Sequence, residues 1–382
     1  MNIELTRRED LSAGSSSQDR MKLWSIVTSL TTGGAESLVV GLNSCFAQGG
    51  HDHTVISLCD AATLGNSPET ELQLKEQIVQ AGGRHLSLGL ARNRNPITGA
   101  RRINALLRED RPDLIHAHTI RAVPAIAVSR FDGAVVLTHH NSRLSFPPAL
   151  FRITDRVVDR YVAISPETAE TYRKHCRKPC TRISNGIPRQ FIAAQPRKAA
   201  GAPARVISVG TISAQKNYDL LIAAAKAMQS DEETRGLATF AVVGPGEELS
   251  DYRAKVEEAD LGNVVEFLGA RSDVKSLLSE ADIYLNTSDY EGQSVAMLEA
   301  MAMALPIVAT DVPGNRDIVS DGDNGSLVPH GNPQEIARAI ARLARQPEFY
   351  GRCSARALEF GKGFSVEKTA AEHLKLYRSL GA

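Results

Sequence analysis

The sequence IYLNTSDYEGQSVAMLEAMA, residues 283–302, passes from a short apolar run through a polar loop into a helix-like segment. Residues 283–285 have the apolar character of a buried strand, and residues 295–302 have the length of a short helix. Gly292 and Ser294 precede the helix, where unpaired backbone amides are available to an anion. A buried strand followed by a loop and a helix is typical of a parallel sheet in an α/β protein.

The same alternation of strand-length and helix-length segments continues along the chain in both directions. We predict strands at residues 23–28, 54–58, 114–117, 134–138, 161–164, 206–209, 239–243, 264–267, 283–285 and 307–309. We predict helices at residues 35–47, 69–80, 97–108, 218–228, 247–259, 295–302 and 366–380. The predicted fold class is therefore α/β, with two Rossmann-like, doubly wound parallel sheets that face a cleft.

The alternation stops between residues 185 and 204, where prolines and glycines are frequent and a linker is expected. A chain of 382 residues exceeds the usual span of one domain. We expect an N-terminal domain at residues 21–198 and a C-terminal domain at residues 199–365. Residues 1–20 are polar and rich in serine, so we expect a disordered leader there and no secretory signal peptide.

The composition narrows the class of protein. Hydrophobic residues make up 42% and charged residues 23% of the chain, which is ordinary for a globular protein, and no apolar run is long enough to span a membrane. The five cysteines are scattered, which indicates a reducing cytoplasm. Cys176 and Cys180 lie near His175, but no second pair of ligands follows, and Asp321 and Asp323 belong to a turn. We predict no metal site and no cofactor.

The charge is distributed unevenly between the two halves. Residues 21–199 hold 23 basic and 14 acidic residues, whereas residues 200–382 hold 18 basic and 26 acidic ones. The first half is therefore expected to meet an anionic partner. Arg152 and Arg156 lie among the apolar Phe151 and Ile153, and we predict that this face docks on anionic lipid headgroups. The alternative is a helix whose apolar side covers the sheet while its arginines are solvated.

Two acidic residues and a lysine in the second half are candidates for chemistry. Glu291 lies in the loop before the helix, and Glu299, eight residues later, lies about two turns inside it. Glu299 is surrounded by Ala, Met and Leu, so its carboxylate is expected to have a ligand, such as ribose hydroxyls, while Glu291 faces a sugar. Lys216 precedes another helix and is placed to meet a diphosphate as a point charge.

The glycine-containing turns are weaker signals. Gly33 and Gly34 follow the first strand and permit close approach of a ligand, although a tight turn explains them equally well. Gly244 opens a loop similar to a dinucleotide fingerprint, but Leu249 stands where the third glycine belongs. This substitution argues against a dehydrogenase.

The histidines of the first half follow predicted strands. His116 and His118 alternate with Ala117, and only His118 is far enough along the strand to reach the cleft. We therefore expect His118 to contact a sugar and His116 to be packed. His139 and His140 end the next strand, and together with Asn141 they are candidates for the acceptor side.

Together these residues resemble glycosyltransferase family 4, the retaining group 1 glycosyltransferases of GT-B fold. The resemblance runs from about Leu23 to the C-terminus. It is carried by the Glu291–Glu299 spacing, by EAMA at 299–302, LPIVATD at 305–311, GGAE at 33–36, SNGIP at 184–188 and NGSLV at 324–328.

The resemblance implies that the second half holds a nucleotide-sugar donor and the first half an acceptor. It implies that Glu299 binds ribose, that Glu291 contacts the donor sugar and that a lysine and an arginine neutralise the diphosphate. Lys216 matches the lysine, but Thr211 stands where the arginine is expected. It also implies that the C-terminal helix crosses back onto the first domain. The residues expected to hold the donor are Gly33, Gly34, Gly210, Thr211, Lys216, Gly244, Gly292, Gln293, Ser294, Val295 and Glu299.

The function expected is transfer of a sugar, with retention and without a metal, from a UDP-sugar to a glycan or lipid-linked acceptor in bacterial surface polysaccharide or glycolipid synthesis. Glu291, Lys216 and His118 are the predicted catalytic residues. The expected location is the cytoplasm, at the inner face of the membrane, and no nucleic-acid partner is expected. The alternatives are a nucleotide-sugar epimerase of the same fold and a non-catalytic nucleotide-sugar binding protein.

Overall fold

A computed structural model describes residues 20–31, 33–140, 146 and 148–382. Residues 1–19 of the predicted leader, and Asn141, lie outside the described residues. The described chain forms two parallel sheets with helices on both faces, as the alternating pattern predicted.

The first sheet has the strand order β3-β2-β1-β4-β5-β6-β7, with every neighbouring pair parallel. Its strands are β1 (Lys22–Val27), β2 (Asp52–Ser57), β3 (Arg84–Ser87), β4 (Leu114–Ala117), β5 (Ala134–Thr138), β6 (Arg160–Ala163) and β7 (Cys180–Arg182). The order reverses direction between β1 and β4, which is where ligands bind in open α/β sheets.

The second sheet repeats this plan with the order β10-β9-β8-β11-β12-β13, again all parallel. Its strands are β8 (Ala204–Val209), β9 (Ala238–Val243), β10 (Val265–Gly269), β11 (Ile283–Asn286), β12 (Ile307–Thr310) and β13 (Gly325–Val328). Its switch point lies between β8 and β11, the strands that precede Lys216 and Glu291.

The helices connect successive strands and cover the sheets. Those of the first half are α1 (Gly34–Gln48), α2 (Pro68–Gln80), α3 (Pro96–Glu109), α4 (Val123–Val128), α5 (Phe151–Thr154) and α6 (Pro166–His175). Those that follow are α7 (Tyr218–Ser230), α8 (Leu249–Glu258), α9 (Val274–Glu280), α10 (Val295–Ala302), α11 (Pro313–Arg316), α12 (Pro333–Arg345), α13 (Pro347–Lys362) and α14 (Val366–Arg378).

Helix α14 packs on the first sheet although it ends the chain. Val366 and Tyr377 belong to one apolar cluster with Leu42 of α1 and Leu114 of β4. Helices α3 to α6 cover the opposite face, where Ile103 and Phe151 are fully buried. The last helix therefore holds the C-terminal part of the chain against the first sheet.

Every predicted strand and helix is present, with ends displaced by up to two residues. Three strands were not predicted, and all lie at or beside a sheet edge. Strand β3 reads RHLS and is largely exposed, β7 has three residues, and β13 begins with Gly325. None of these carries the apolar run by which buried strands were recognised. No helix in the described ranges is both long and apolar enough for a membrane span.

The segment expected to be a linker is packed against the second half. Ile187 and Phe191 are buried in its core. Arg197 donates hydrogen bonds to the carbonyl oxygens of Leu278, Ala281 and Met303. The crossing between the two sheets is thus fixed along much of its length by buried contacts.

Candidate active site

A cavity of about 960 Å³ opens where the carboxyl ends of strands from both sheets come together. Thr28 follows β1, His118 follows β4 and Gly210 follows β8, and all three line it. The predicted site residues found in its lining are Gly33, Gly34, His118, His139, His140, Gly210, Thr211, Lys216, Glu291, Gln293, Ser294, Val295 and Glu299. The structure thus brings most of the predicted residues into one cavity.

Two predicted donor-binding glycines, Gly244 and Gly292, are outside this lining. A Cβ on Gly244 would lie 1.9 Å from the carbonyl oxygen of Gly210, so the glycine is required where two backbone turns touch. This contact is a structural reason for the glycine in the loop after β9.

Lys216 and Glu291 form an ion pair between the loops that follow β8 and β11. Only 17% of the lysine side chain and 7% of the glutamate side chain are exposed. Ser288 donates a second hydrogen bond of 2.8 Å to the same Oε1 atom of Glu291. The two side chains were expected to contact different parts of a ligand, whereas in the structure they contact each other.

Helix α10 begins at the wall of the cavity. Ser294 is its N-cap and accepts a hydrogen bond from the backbone N–H of Met297. The other amides of the first turn have no partner within the helix and are available to an anion. Across the cavity, Gly34 approaches this turn so closely that a Cβ there would lie 3.2 Å from Val295. The two halves of the molecule therefore touch at the start of α10.

Glu299 lies about one turn inside α10, not two as expected, because the helix begins only at Val295. Its side chain is buried and lines the same cavity. Burial raises its pKa to about 8. Among the described residues no side chain forms an ion pair or hydrogen bond with its carboxylate, although Ala300 and Met301 around it are fully buried. A buried carboxylate without a protein partner is typical of a ligand-binding position.

Four of the lining residues that were not predicted from the sequence bear on the chemistry of the site. Arg121 follows β4 and Arg271 follows β10, so each could have been found by its place after a strand. Arg271 forms a two-pronged ion pair with Asp273, with distances of 2.8 and 2.6 Å. Both guanidinium groups line the same cavity as Thr211, which stands where the arginine was expected.

The other two missed residues are Glu36 and Asn185. Glu36 lies in the first turn of α1 beside Gly33, and burial raises its pKa to about 7. The backbone N–H of Asn185 donates to Oε1 of Gln293 at 2.6 Å, and the Asn185 side chain donates to the Gln293 carbonyl oxygen at 3.1 Å. Both residues belong to motifs noted in the sequence, but their contacts depend on tertiary structure.

His116 in β4 and His118, which follows it, have the different environments that were expected. His116 is buried, and its ring nitrogens lie 2.7 Å from the Tyr377 hydroxyl and 2.8 Å from Thr138 Oγ1. The prediction that it is packed is confirmed. His118 lines the cavity, and its Nδ1 lies 3.1 Å from Nε2 of His140.

Two family models together match most of the chain. The model described as Glycosyltransferase Family 4 matches residues 32–191, and the model described as Glycosyl transferases group 1 matches residues 191–360. The chain belongs to the family of glycosyltransferases that these two models describe, one for each half of the chain. The matches meet at residue 191, in the segment that crosses between the two sheets.

Curated relatives agree along nearly the whole length. An uncharacterised glycosyltransferase of Haemophilus influenzae is 24% identical, over 90% of this chain and 95% of its own. The lipopolysaccharide core biosynthesis glycosyltransferase LpsE of Rhizobium meliloti is 25% identical, over 91% of this chain and 96% of its own. These names support glycosyltransferase activity for the chain.

Solved structures show the same architecture. The Anabaena protein Alr3699/HepE in complex with UDP-glucose superposes with a TM-score of 0.78 at 20% identity, covering 94% of this chain and all of that one. The sucrose-phosphate synthase of Thermosynechococcus elongatus gives a TM-score of 0.76 at 19% identity, covering 94% of this chain and 99% of that one. The fold of this glycosyltransferase is therefore GT-B.

Proposed function

We propose that this glycosyltransferase moves a hexosyl group, with retention of configuration, from a UDP-sugar to a glycan or lipid-linked acceptor. The observation that carries the proposal is the shared cavity, whose lining includes the Lys216–Glu291 pair, the first turn of α10 and the buried carboxylate of Glu299. A nucleoside diphosphate sugar has the complementary groups, namely an anion, ribose hydroxyls and a neutral sugar.

The donor orientation follows from charge. The diphosphate meets the first-turn amides of α10 and the ammonium of Lys216, since both are positive. Glu299, about one turn further along α10, then accepts hydrogen bonds from the ribose hydroxyls. UDP is the favoured nucleotide because HepE was crystallised with UDP-glucose and the pneumococcal O-GlcNAc transferase GtfA with UDP and GlcNAc.

The chemical step places negative charge on the departing diphosphate. The bond from the anomeric carbon to the β-phosphate oxygen breaks, and its electron pair remains on that oxygen. The acceptor hydroxyl oxygen bonds to the same face of the anomeric carbon, and its proton passes to the departing phosphate. Lys216 and the α10 amides stabilise the developing charge, which is the main contribution expected of such a site.

The acceptor is proposed to bind against the first half, where His118, His139, His140 and Arg121 line the cavity. Among the relatives are LpsE and the amylovoran biosynthesis glycosyltransferase AmsK of Erwinia amylovora. Their names support a role in bacterial surface polysaccharide or glycolipid synthesis.

A lipid-linked acceptor requires access to a membrane, and α5 offers the corresponding face. Phe151 is buried in the core, whereas Ile153 is 55% exposed and lies between the exposed Arg152 and Arg156. The helix thus covers the sheet with one side and presents an apolar residue flanked by cations with the other. Such a face suits anionic lipid headgroups, with about 1 kcal/mol from each basic residue near the surface.

Vesicle sedimentation at low salt tests this face. Wild-type protein should sediment with phosphatidylglycerol vesicles and remain free with phosphatidylcholine vesicles, and Ile153→Glu should abolish sedimentation. Val128→Glu is the matched control, because Val128 at the end of α4 is also 55% exposed. Equal sedimentation of both variants, or none of the wild type, would contradict membrane docking.

The activity is tested by following UDP-, GDP- and ADP-sugars by NMR with excess EDTA present. Slow release of the sugar from one donor, first as the anomer present in the donor, is the expected result. Conversion of the nucleotide sugar into an isomer would instead establish an epimerase. Tight binding without any turnover would support a binding protein, and loss of activity with EDTA would contradict the metal-independent mechanism.

A further inference from the structure

The cavity continues from the cleft into a groove between α1 and α2. Its lining includes residues of α1 at the spacing i, i+3, i+4 and i+7, and residues along α2 at the spacing i, i+3, i+4, i+7 and i+11. Each spacing places its residues on one face of a helix, so each helix turns a continuous stripe toward the groove. The stripes consist of Ser37, Val40, Gly41 and Ser44 in α1, and of Thr70, Gln73, Leu74, Gln77 and Ala81 along α2 and at its end.

The groove leads away from the proposed donor position. Gly34, where α1 begins, lies close to Val295 at the start of α10. Ser44 lies ten residues further along α1, which corresponds to about 15 Å of helix. Thr70 and Ala81 are separated by about 16 Å in the same way. A ligand that follows the groove therefore extends well beyond a single sugar at the reaction centre.

The side chains of the two stripes are neutral. Thr70, Gln73 and Gln77 supply hydroxyl and amide groups, which together donate and accept hydrogen bonds. The glutamine amides form no hydrogen bond with any other described residue, so they are available to a ligand. Val40 and Leu74 pack on the small apolar cluster beneath the two helices and give the groove an apolar floor.

This combination fits a neutral sugar chain. Sugar hydroxyls both donate and accept hydrogen bonds, and the C–H faces of sugar rings can lie on an apolar floor. A phosphate would be expected to meet cations, but Arg121, Lys216 and Arg271, which line the cavity, all lie outside α1 and α2. An acyl chain would bury the glutamine amides without hydrogen-bond partners, which is unfavourable.

We propose that this groove binds the neutral glycan part of the acceptor, so that the enzyme extends a sugar chain that already contains several residues. The acceptor hydroxyl that receives the new sugar lies in the cleft, and the preceding sugars lie between α1 and α2. An earlier glycosyl transfer must then supply the substrate. This inference rests on the proposed function, because it takes the chain to be a UDP-sugar-dependent transferase.

A glycan array that carries mono- to tetrasaccharide fragments of bacterial surface polysaccharides tests the groove, probed with labelled protein in the presence of UDP. The wild type should bind neutral fragments of two or more sugars more tightly than single sugars. The double variant Gln73→Ala/Gln77→Ala should bind them roughly thirtyfold more weakly, the effect of losing two hydrogen bonds. Gln77→Trp should not bind them, because the larger side chain fills the groove.

Val79→Trp is the matched control for Gln77→Trp. Val79 lies in the same helix, is 61% exposed and is outside the cavity lining, so a tryptophan there leaves the groove open. This variant should bind the fragments as the wild type does. Equal losses in the two tryptophan variants, or wild-type binding by Gln77→Trp, would overturn the proposal.

The length and charge of the bound fragments give a second test. Equal affinity for single sugars and longer fragments, a preference for anionic fragments, or binding of no fragment by the wild type would overturn the proposal. Calorimetric titration of UDP keeps these outcomes separate from the proposed function. All variants should bind UDP as tightly as the wild type, since the changed residues are remote from the proposed diphosphate and ribose positions. Failure of the wild type to bind UDP or any UDP-sugar would instead remove the donor assignment itself.

Discussion

Asn185, in the segment that crosses between the two sheets, holds Gln293 in the loop that precedes α10 through two buried hydrogen bonds. The segment continues to Ile187, whose backbone bonds with Phe364 and Val366 at the start of α14. The loop next to the proposed diphosphate position is therefore connected to the crossing and to the last helix. Its geometry depends on residues that are remote in sequence.

Asn185→Asp should weaken this connection. The substitution keeps the size of the side chain but replaces the amide that donates to the Gln293 carbonyl oxygen, leaving that buried acceptor unpaired at a cost of about 1–3 kcal/mol. A lower melting temperature and a lower UDP-sugar affinity are expected, measured by thermal unfolding and calorimetry. Unchanged values of both would show that the hydrogen bond contributes nothing.

Lys216→Met should be strongly destabilising, by about 3–5 kcal/mol, because it leaves the buried Glu291 without its cation. Adding Glu291→Gln should recover most of the stability, since no uncompensated charge then remains. Donor hydrolysis should stay lost in both, because the ammonium that stabilises the diphosphate is absent. Urea unfolding and hydrolysis rates measure the two effects, and a double variant that regains hydrolysis would contradict the role of Lys216.

Glu299 should make both stability and donor binding depend on pH. Its pKa is about 8 in the folded protein and near 4.5 when unfolded, so the folded state holds the extra proton between these values. Stability should fall as pH rises through this range, at up to about 1.4 kcal/mol per pH unit. Glu299→Gln should lack this component, which the difference between the two unfolding curves isolates.

Binding of a UDP-sugar should follow the opposite trend. Ribose hydroxyls donate best to an ionised carboxylate, so binding releases a proton and the affinity should rise from pH 6 to pH 8. The diphosphate diester does not titrate in this range, and Glu299→Gln provides the control with a flat profile. An identical pH profile in both proteins would contradict the assignment of Glu299 to ribose.

Gly34→Ala tests the approach of the two halves. The added methyl group would lie 3.2 Å from Val295, and overpacking of this kind costs about 1–3 kcal/mol. Donor hydrolysis should fall roughly tenfold, since each 1.4 kcal/mol added to the activation free energy lowers the rate by about a factor of ten. Gly351→Ala in α13 is the control, because its Cβ would make only an ordinary contact at 3.5 Å. Equal rates in the two variants would argue against a need for this close approach.

The fold was largely predictable because buried parallel strands are apolar runs that sequence pattern detects directly. The exceptions, such as the polar edge strand β3, lack that pattern. Local motifs likewise located Glu291, Glu299 and His118. The Lys216–Glu291 pair and the His118–His140 contact join separate loops of the tertiary structure, so no local pattern could indicate them. Whether a charged side chain has a partner depends on the tertiary structure and not on the local sequence.

The cavity is proposed to bind a nucleoside diphosphate sugar through Glu299. Calorimetric titration of UDP-, GDP- and ADP-sugars into wild-type protein and Glu299→Ala tests it most directly. We expect one UDP-sugar to bind the wild type and the variant to lose this binding while remaining folded. Binding of no nucleotide sugar by the wild type, or equal binding by the variant, would contradict it.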